Sequence, residues 1–146
     1  WHITNLRNYM QLSTTQEKEV HWGDVSLNPF GQGAGTTQLP GGFTSPERFV
    51  RTAFLKTHVH MPDDQTETVH TCFHLLNSVF IPKGIVMTDR GTMDYTKYVA
   101  FMNTHTCTYY FKTYENNQIL TASLWNYDIN APHPLYLGSI QYPAVV

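Results

Sequence analysis

His70 and His74 stand four residues apart, the spacing that places two imidazoles on one face of a helix for metal binding. The rest of such a motif is missing. Cys72 and Phe73 sit where a zinc-protease helix needs other residues, and no glutamate stands between the histidines. No third ligand emerges from the scattered His2, His21, His58, His60, His105 and His133, so a metal site is not expected and the pair reads as helix-face packing. Gly31, Gly33 and Gly35 have the density of a phosphate loop, but that loop must open directly into a helix. Here the next helical pattern begins ten residues after Gly35, beyond Pro40, Gly41 and Gly42. A backbone turning where side chains cannot fit is the simpler account. Neither a Gly-x-Ser-x-Gly elbow nor a P-loop lysine is present.

Cys72 and Cys107 are nucleophiles by type, yet each lies in an apolar run, whereas a reactive thiol needs exposure and electropositive surroundings. Both are expected in the core. Arg48 is different: it falls in the first turn of a helix that follows the glycine-rich segment. An arginine there is either solvated and salt-bridged or holds a cysteine or carboxylate in a site, and the local pattern leaves both readings open.

The elements that must position these groups can be read along the chain. Ile3, Leu6 and Met10 have helical spacing. Residues 11–44 turn to Ser, Thr, Gln, Gly and Pro, which predicts a long, mainly irregular connection with one short strand at Val25–Leu27. Ser45 as a cap, Pro46 in the first turn and Glu47 near the N-terminus start a helix that runs to about Val59, with Phe49, Val50, Ala53 and Phe54 on its apolar face. Arg48 and Arg51, three apart, share one flank of it. A second helix is predicted from Gln65 to Phe80, with Val69, Cys72, Phe73, Leu76 and Val79 as its stripe, ended by Pro82, Lys83 and Gly84. Residues 95–102, 106–114 and 119–124 then read as aromatic and β-branched strands, with turns at Asn103–His105 and Glu115–Asn117. The tail with Pro132, Pro134 and Pro143 offers one edge strand at most. Helices followed by antiparallel strands give an α+β layered class.

Composition sets the bounds. The 146 residues carry only 14% charged side chains, against roughly 25% in an ordinary soluble domain, and 14% aromatics (8 Phe, 9 Tyr, 3 Trp). A net charge of −2 gives no reason to expect nucleic acid or an anionic membrane as a partner. No apolar run approaches the ~20 residues of a membrane span. Two cysteines are too few for a disulfide framework and share no Cys-x-x-Cys spacing, so the cytoplasm is the expected compartment. Trp1 follows no initiator Met, basic segment or apolar leader, and the start is expected to be a cut or processed end with chain upstream of it.

Six blocks occur in order: residues 1–10 (WHITNLRNYM), 30–35 (FGQGAG), 39–41 (LPG), 43–51 (FTSPERFVR), 81–84 (IPKG) and 109–119 (YYFKTYENNQI). From Trp1 to about Ser123 the chain thereby resembles the C-terminal half of the choloylglycine hydrolase family, most of all its penicillin V acylase branch. Gly42 departs from the Asp usual after Leu-Pro-Gly in that family.

The resemblance implies an N-terminal-nucleophile hydrolase of four-layer αββα fold that cleaves linear amides without a cofactor. In that family an N-terminal cysteine attacks the amide carbonyl with its own α-amino group as base, and water then releases the acid from the acyl-enzyme. Residues 1–146 would form the C-terminal portion of one such domain, with nucleophile and oxyanion asparagines upstream of Trp1. A structure of this chain should then leave one sheet face uncovered. Arg48 matches the arginine of the family's Ser/Thr-Pro-x-x-Arg-Phe block, which approaches the nucleophilic cysteine and favours its thiolate. Arg48 is the catalytic residue expected here, and Arg51 is left as structural. The expected partners are the N-terminal half of the same enzyme, further copies in a homotetramer assembled through residues 11–44, and a small-molecule amide. Two alternatives stand beside penicillin V cleavage: bile salt hydrolysis within the same family, and a non-catalytic assembly or binding module.

Overall fold

In the computed structural model, whose described residues are 1–137, the chain divides into two units, Trp1–His60 and a second beginning at Met61. The first opens with α1 (His2–Asn5), which runs into a 3-10 turn at Leu6–Tyr9, as the spacing of Ile3, Leu6 and Met10 predicts. The segment that follows is mainly irregular. The expected strand at Val25 comes with a partner that the composition does not predict: β1 (Val20–Trp22) pairs antiparallel with β2 (Val25–Leu27), Trp22 opposite Val25. Gly35 shows why glycine is needed in the tract before the helix. A Cβ there would strike the carbonyl oxygens of Thr15 and Ser13, and the Ser13 N–H donates to the Gly35 carbonyl at 3.0 Å.

The unit's long helix, α2, spans Ser45–His58. It buries Val50 and Arg51 and half-buries Phe49, Ala53 and Phe54, the face predicted for it. His2 stacks on Phe49 with ring centroids 4.8 Å apart. Leu6, Tyr9 and Leu12 face Val50, Ala53 and Phe54 around a hollow of about 170 Å³.

In the second unit α3 (Gln65–Asn77) is capped by Asp64, whose carboxylate accepts the Glu67 N–H at 2.8 Å. It ends before the predicted Phe80, because the N–H groups of Ser78, Val79 and Phe80 each reach back only three residues and tighten the chain ahead of Pro82. A small hairpin, β3 (Val86–Met87) and β4 (Met93–Asp94), comes next. Strands β5 (Tyr98–Asn103), β6 (Thr108–Thr113) and β7 (Leu120–Ser123) then form an antiparallel sheet in sequence order. β5 starts later than its aromatic run because Thr96 is bonded elsewhere: its hydroxyl accepts the Ile81 N–H at 2.9 Å, and its own N–H donates to the Ile81 carbonyl at 3.1 Å.

Cys107 is not in a strand interior. It closes the Thr104–Cys107 turn at φ +51°, because Asn103 Oδ1 accepts the N–H groups of His105 and Thr106 and curls the chain away from the ladder. Cys72 and Cys107 are both half-buried and free, rather than core. Leu124 opens a 3-10 turn, Leu124–Asn126, instead of ending a strand. Among the described residues the tail beyond it adds no strand, and Pro143 lies outside them.

Strand alternation puts Val99, Phe101, Tyr110 and Lys112 on the face of the β5–β7 sheet covered by α3. Phe73 is the centre of that core: it meets Phe101 edge-on at 5.0 Å, with Val69, Leu76, Phe80 and Ile119 packed around the cluster and Lys112 Nζ over the Phe73 ring. The other face carries Tyr98, Ala100, Met102, Tyr109, Phe111 and Ala122, and no helix of the unit covers it among the described residues. Tyr98 is 63% and Met102 70% exposed, as expected of an uncovered sheet face. Near the Thr104–Cys107 turn this face borders an open cleft of about 460 Å³, completed by Leu124, Tyr127 and Leu137. The class is α+β, helices followed by antiparallel sheet.

Candidate functional site

The start of α2 is built by a reciprocal cap. Thr44, not Ser45, is the N-cap: its hydroxyl accepts the Glu47 N–H at 3.5 Å and donates to the Glu47 carboxylate at 2.6 Å. The same carboxylate accepts the Thr44 N–H at 3.3 Å, closing a capping box. Ser45 and Pro46 thus become the first two helical residues. Thr44-Ser-Pro-Glu47 carries the Ser/Thr-x-x-Glu signature, and reading Ser45 as the cap overlooks it. The Thr44 hydroxyl, foremost, holds the Glu47 carboxyl below the usual carboxylate range. The Thr44 N–H, the Arg51 charge and the Gly42 N–H act in the same direction, against desolvation.

Gly42 is part of this arrangement. A Cβ at that position would run into the Glu47 carboxylate as it stands, so the Asp that the family resemblance implies there would require the Glu47 side chain to move. One turn along the helix, Arg51 is 7% exposed. Its Nη1 donates to the carbonyl oxygens of Pro40 and Gly42.

Arg48 lies between these anchors. Its backbone N–H donates to the Thr44 carbonyl at 3.0 Å, which fixes it in the first turn as the sequence predicts. The side chain is half-buried, and its Nε is buried with no hydrogen-bond partner among the described residues. Few buried polar atoms in folded proteins are left this way, and those that are call for a cause. A guanidinium presenting a desolvated N–H can hold an anionic or strongly accepting group, a carboxylate or a thiolate.

His70 and His74 are exposed on α3, and the described residues contain no group of three or more His, Cys, Asp or Glu side chains able to hold a metal. The glycine tract is tied back to Gln16: the Ala34 N–H donates to Gln16 Oε1, and Gln16 Nε2 donates to the Gly31 carbonyl at 2.9 Å. Among the described residues no helix is long and apolar enough to cross a membrane.

Residues 1–136 match the family model for linear amide C–N hydrolases of the choloylglycine hydrolase family. A bile salt hydrolase/transferase of Clostridium perfringens is 40% identical over 119 residues, 82% of this chain and 36% of that protein. A solved variant of conjugated bile acid hydrolase from Clostridium perfringens superposes with a TM-score of 0.84 at 33% identity, over 100% of this chain and 44% of its own. A penicillin V acylase from Agrobacterium tumefaciens aligns at TM-score 0.55 and 22% identity over 63% of this chain and 29% of its own, a likeness of fold alone. The chain thus spans under half the length of these relatives, and those named for bile salts are the more similar to it, although the sequence blocks favour the penicillin V branch. With the fold of an N-terminal-nucleophile hydrolase fragment and a family match over nearly its whole length, this chain belongs to the choloylglycine hydrolase family of linear amide C–N hydrolases.

Proposed function

We propose that this chain is the C-terminal portion of a cysteine hydrolase that cleaves the amide of conjugated bile acids. The observation that carries the reading is Arg48, with its buried and unpartnered Nε, in the first turn of α2 within the family's own sequence block. In the complete enzyme a cysteine thiolate, supplied by chain upstream of Trp1, attacks the amide carbonyl carbon. A C–S bond forms, the C–N bond breaks, and the leaving amine takes the proton; water then cleaves the thioester and returns the thiol. Arg48 stabilises and orients the thiolate through its charge. Bile acids are assigned over penicillin V because the relatives named for them are the more similar ones.

The uncovered face of the β5–β7 sheet, with Tyr98 and Met102 exposed, fits a sandwich whose second layer comes from the upstream half of the same domain. Residues 11–44 are assigned to homotetramer assembly. They support this with Trp22 75% exposed and Phe30 fully exposed in a segment that also exposes Val20, Val25 and Leu27. The cytoplasm fits two free thiols.

The test uses the complete enzyme. Amine release is expected to be faster, in kcat/KM, with a conjugated bile acid than with penicillin V, and the opposite order overturns the substrate assignment. Arg48→Ala is expected to lower kcat by about 100-fold with the melting temperature retained. Unchanged turnover in that variant removes the role given to Arg48. A Trp22→Ser/Phe30→Ser variant is expected to sediment as a smaller species; an unaltered assembly state discards the 11–44 assignment.

A further inference from the structure

Resting on the reading of Arg48 just given, we infer that Arg51 is a positioning residue: it ties the Leu39–Gly42 segment to α2 and so sets the direction of the Arg48 side chain. Arg51 is 7% exposed, a depth that arginine reaches only when its donors are met. Three residues past Arg48, it leaves the helix on the same flank. Its Nη1 donates to the carbonyls of Pro40 and Gly42, the two that bracket Gly41.

Glu47 meets that segment at its other end. Its carboxylate accepts from the Thr44 hydroxyl and N–H and from the Gly42 N–H, and it stands where a Cβ at Gly42 would be. Arg48 therefore stands on the only stretch of helix flanked by both grips, with Glu47 immediately before it and Arg51 three residues after. Arg48 Nε has no hydrogen bond of its own to aim it, so its direction is left to how the helix start and the adjoining segment are held. A guanidinium suits this task because its planar fork holds donors at fixed angles; an ammonium would keep the charge and lose the geometry.

The test compares Arg51→Met, Arg51→Lys and Glu47→Gln with Arg48→Lys in the complete enzyme. It reads kcat and KM for a conjugated bile acid, the pH dependence of inactivation by iodoacetamide, and the melting temperature. Arg51→Met is expected to lower kcat by about tenfold with KM within about twofold. It should also move the inactivation profile toward that of an ordinary thiol, in the same direction as Arg48→Lys. Arg51→Lys should recover part of kcat, and Glu47→Gln should move both readouts less and in the same sense. Adding Arg51→Met to Arg48→Lys should cost less than about twofold more, since the two act through one group.

A lowered melting temperature with kcat and pH profile unchanged in the folded variants overturns the inference and leaves Arg51 purely structural. Should Arg51→Met fail to fold, Glu47→Gln decides, and an unmoved profile there is equally fatal. If Arg48→Lys itself leaves rate and profile at parent values, it is the Arg48 reading that fails. An effect of Arg48→Lys with none from Arg51→Met or Glu47→Gln sinks the positioning role alone.

Discussion

The side-chain amide of Gln65, the first residue of α3, donates to the Tyr110 hydroxyl at 3.1 Å and ties the helix start to the central strand of the sheet. Tyr110 is buried, so its hydroxyl depends on a partner inside the protein. Gln65→Ala should cost about 1–2 kcal/mol in urea denaturation, most of it from the stranded hydroxyl. Adding Tyr110→Phe should return part of that loss. A double variant whose loss equals the sum of the two single losses would argue against this coupling.

Phe73 and His74 are neighbours with opposite fates on α3. Phe73 is 4% exposed at the centre of the sheet-facing core, whereas His74 faces solvent. Phe73→Ala is expected to destabilise the unit by about 3–5 kcal/mol, and His74→Ala to stay within about 0.5 kcal/mol of the parent. Chemical denaturation of the two variants side by side reads the difference.

The Thr44–Glu47 cap gives a pH dependence with a definite sign. The Glu47 carboxyl is held below its ordinary value in the folded chain. Its contribution is therefore present above the unfolded-state value, near 4.3 for a free glutamate, and fades as pH falls through the folded-state value. Thr44→Ala should cost about 1 kcal/mol at neutral pH, and the gap to the parent should narrow as the solution is made more acid than about pH 4. A constant gap from neutral to acid pH would separate the cap from this titration.

Two glycines of one tract should respond differently to a methyl group. Around Gly31 a Cβ meets nothing, while at Gly35 it meets backbone carbonyls of Ser13 and Thr15. Gly31→Ala is expected to leave the melting temperature unchanged. Gly35→Ala should lower it by several degrees, a cost on the order of 1–3 kcal/mol, because backbone must shift to admit the methyl.

Much of this fold is written in local pattern. Ser-Pro-Glu at 45–47 marks the start of α2 to within a residue, and the Val69, Phe73, Leu76 stripe names the face of α3 that meets the sheet. The hairpin partner of β2 is absent from the sequence reading, although Gly23-Asp24 between Trp22 and Val25 is a two-residue turn signal. β3 and β4 are two residues each, too short for any period to register. Cys107 defeats the pattern for a different reason: an aromatic run surrounds it, and a single side chain, Asn103, diverts the backbone. The place of Arg48 in the first turn of α2 is legible from its sequence block. The grip of Arg51 is not, because it depends on which way the Pro40 and Gly42 carbonyls point, and no residue type encodes that.

The strands of the β5–β7 sheet are neighbours in space in the order in which they are neighbours in the chain. During synthesis, at about 5–20 residues per second, each strand therefore leaves the ribosome when the one it bonds to has just preceded it. Once Ser123 has emerged, every ladder partner and the covering helix α3 already exist, and hairpins of this size close in about 1–10 μs. The sheet has no translational delay to wait out, and every strand of its ladder and the helix that covers it are complete by Ser123.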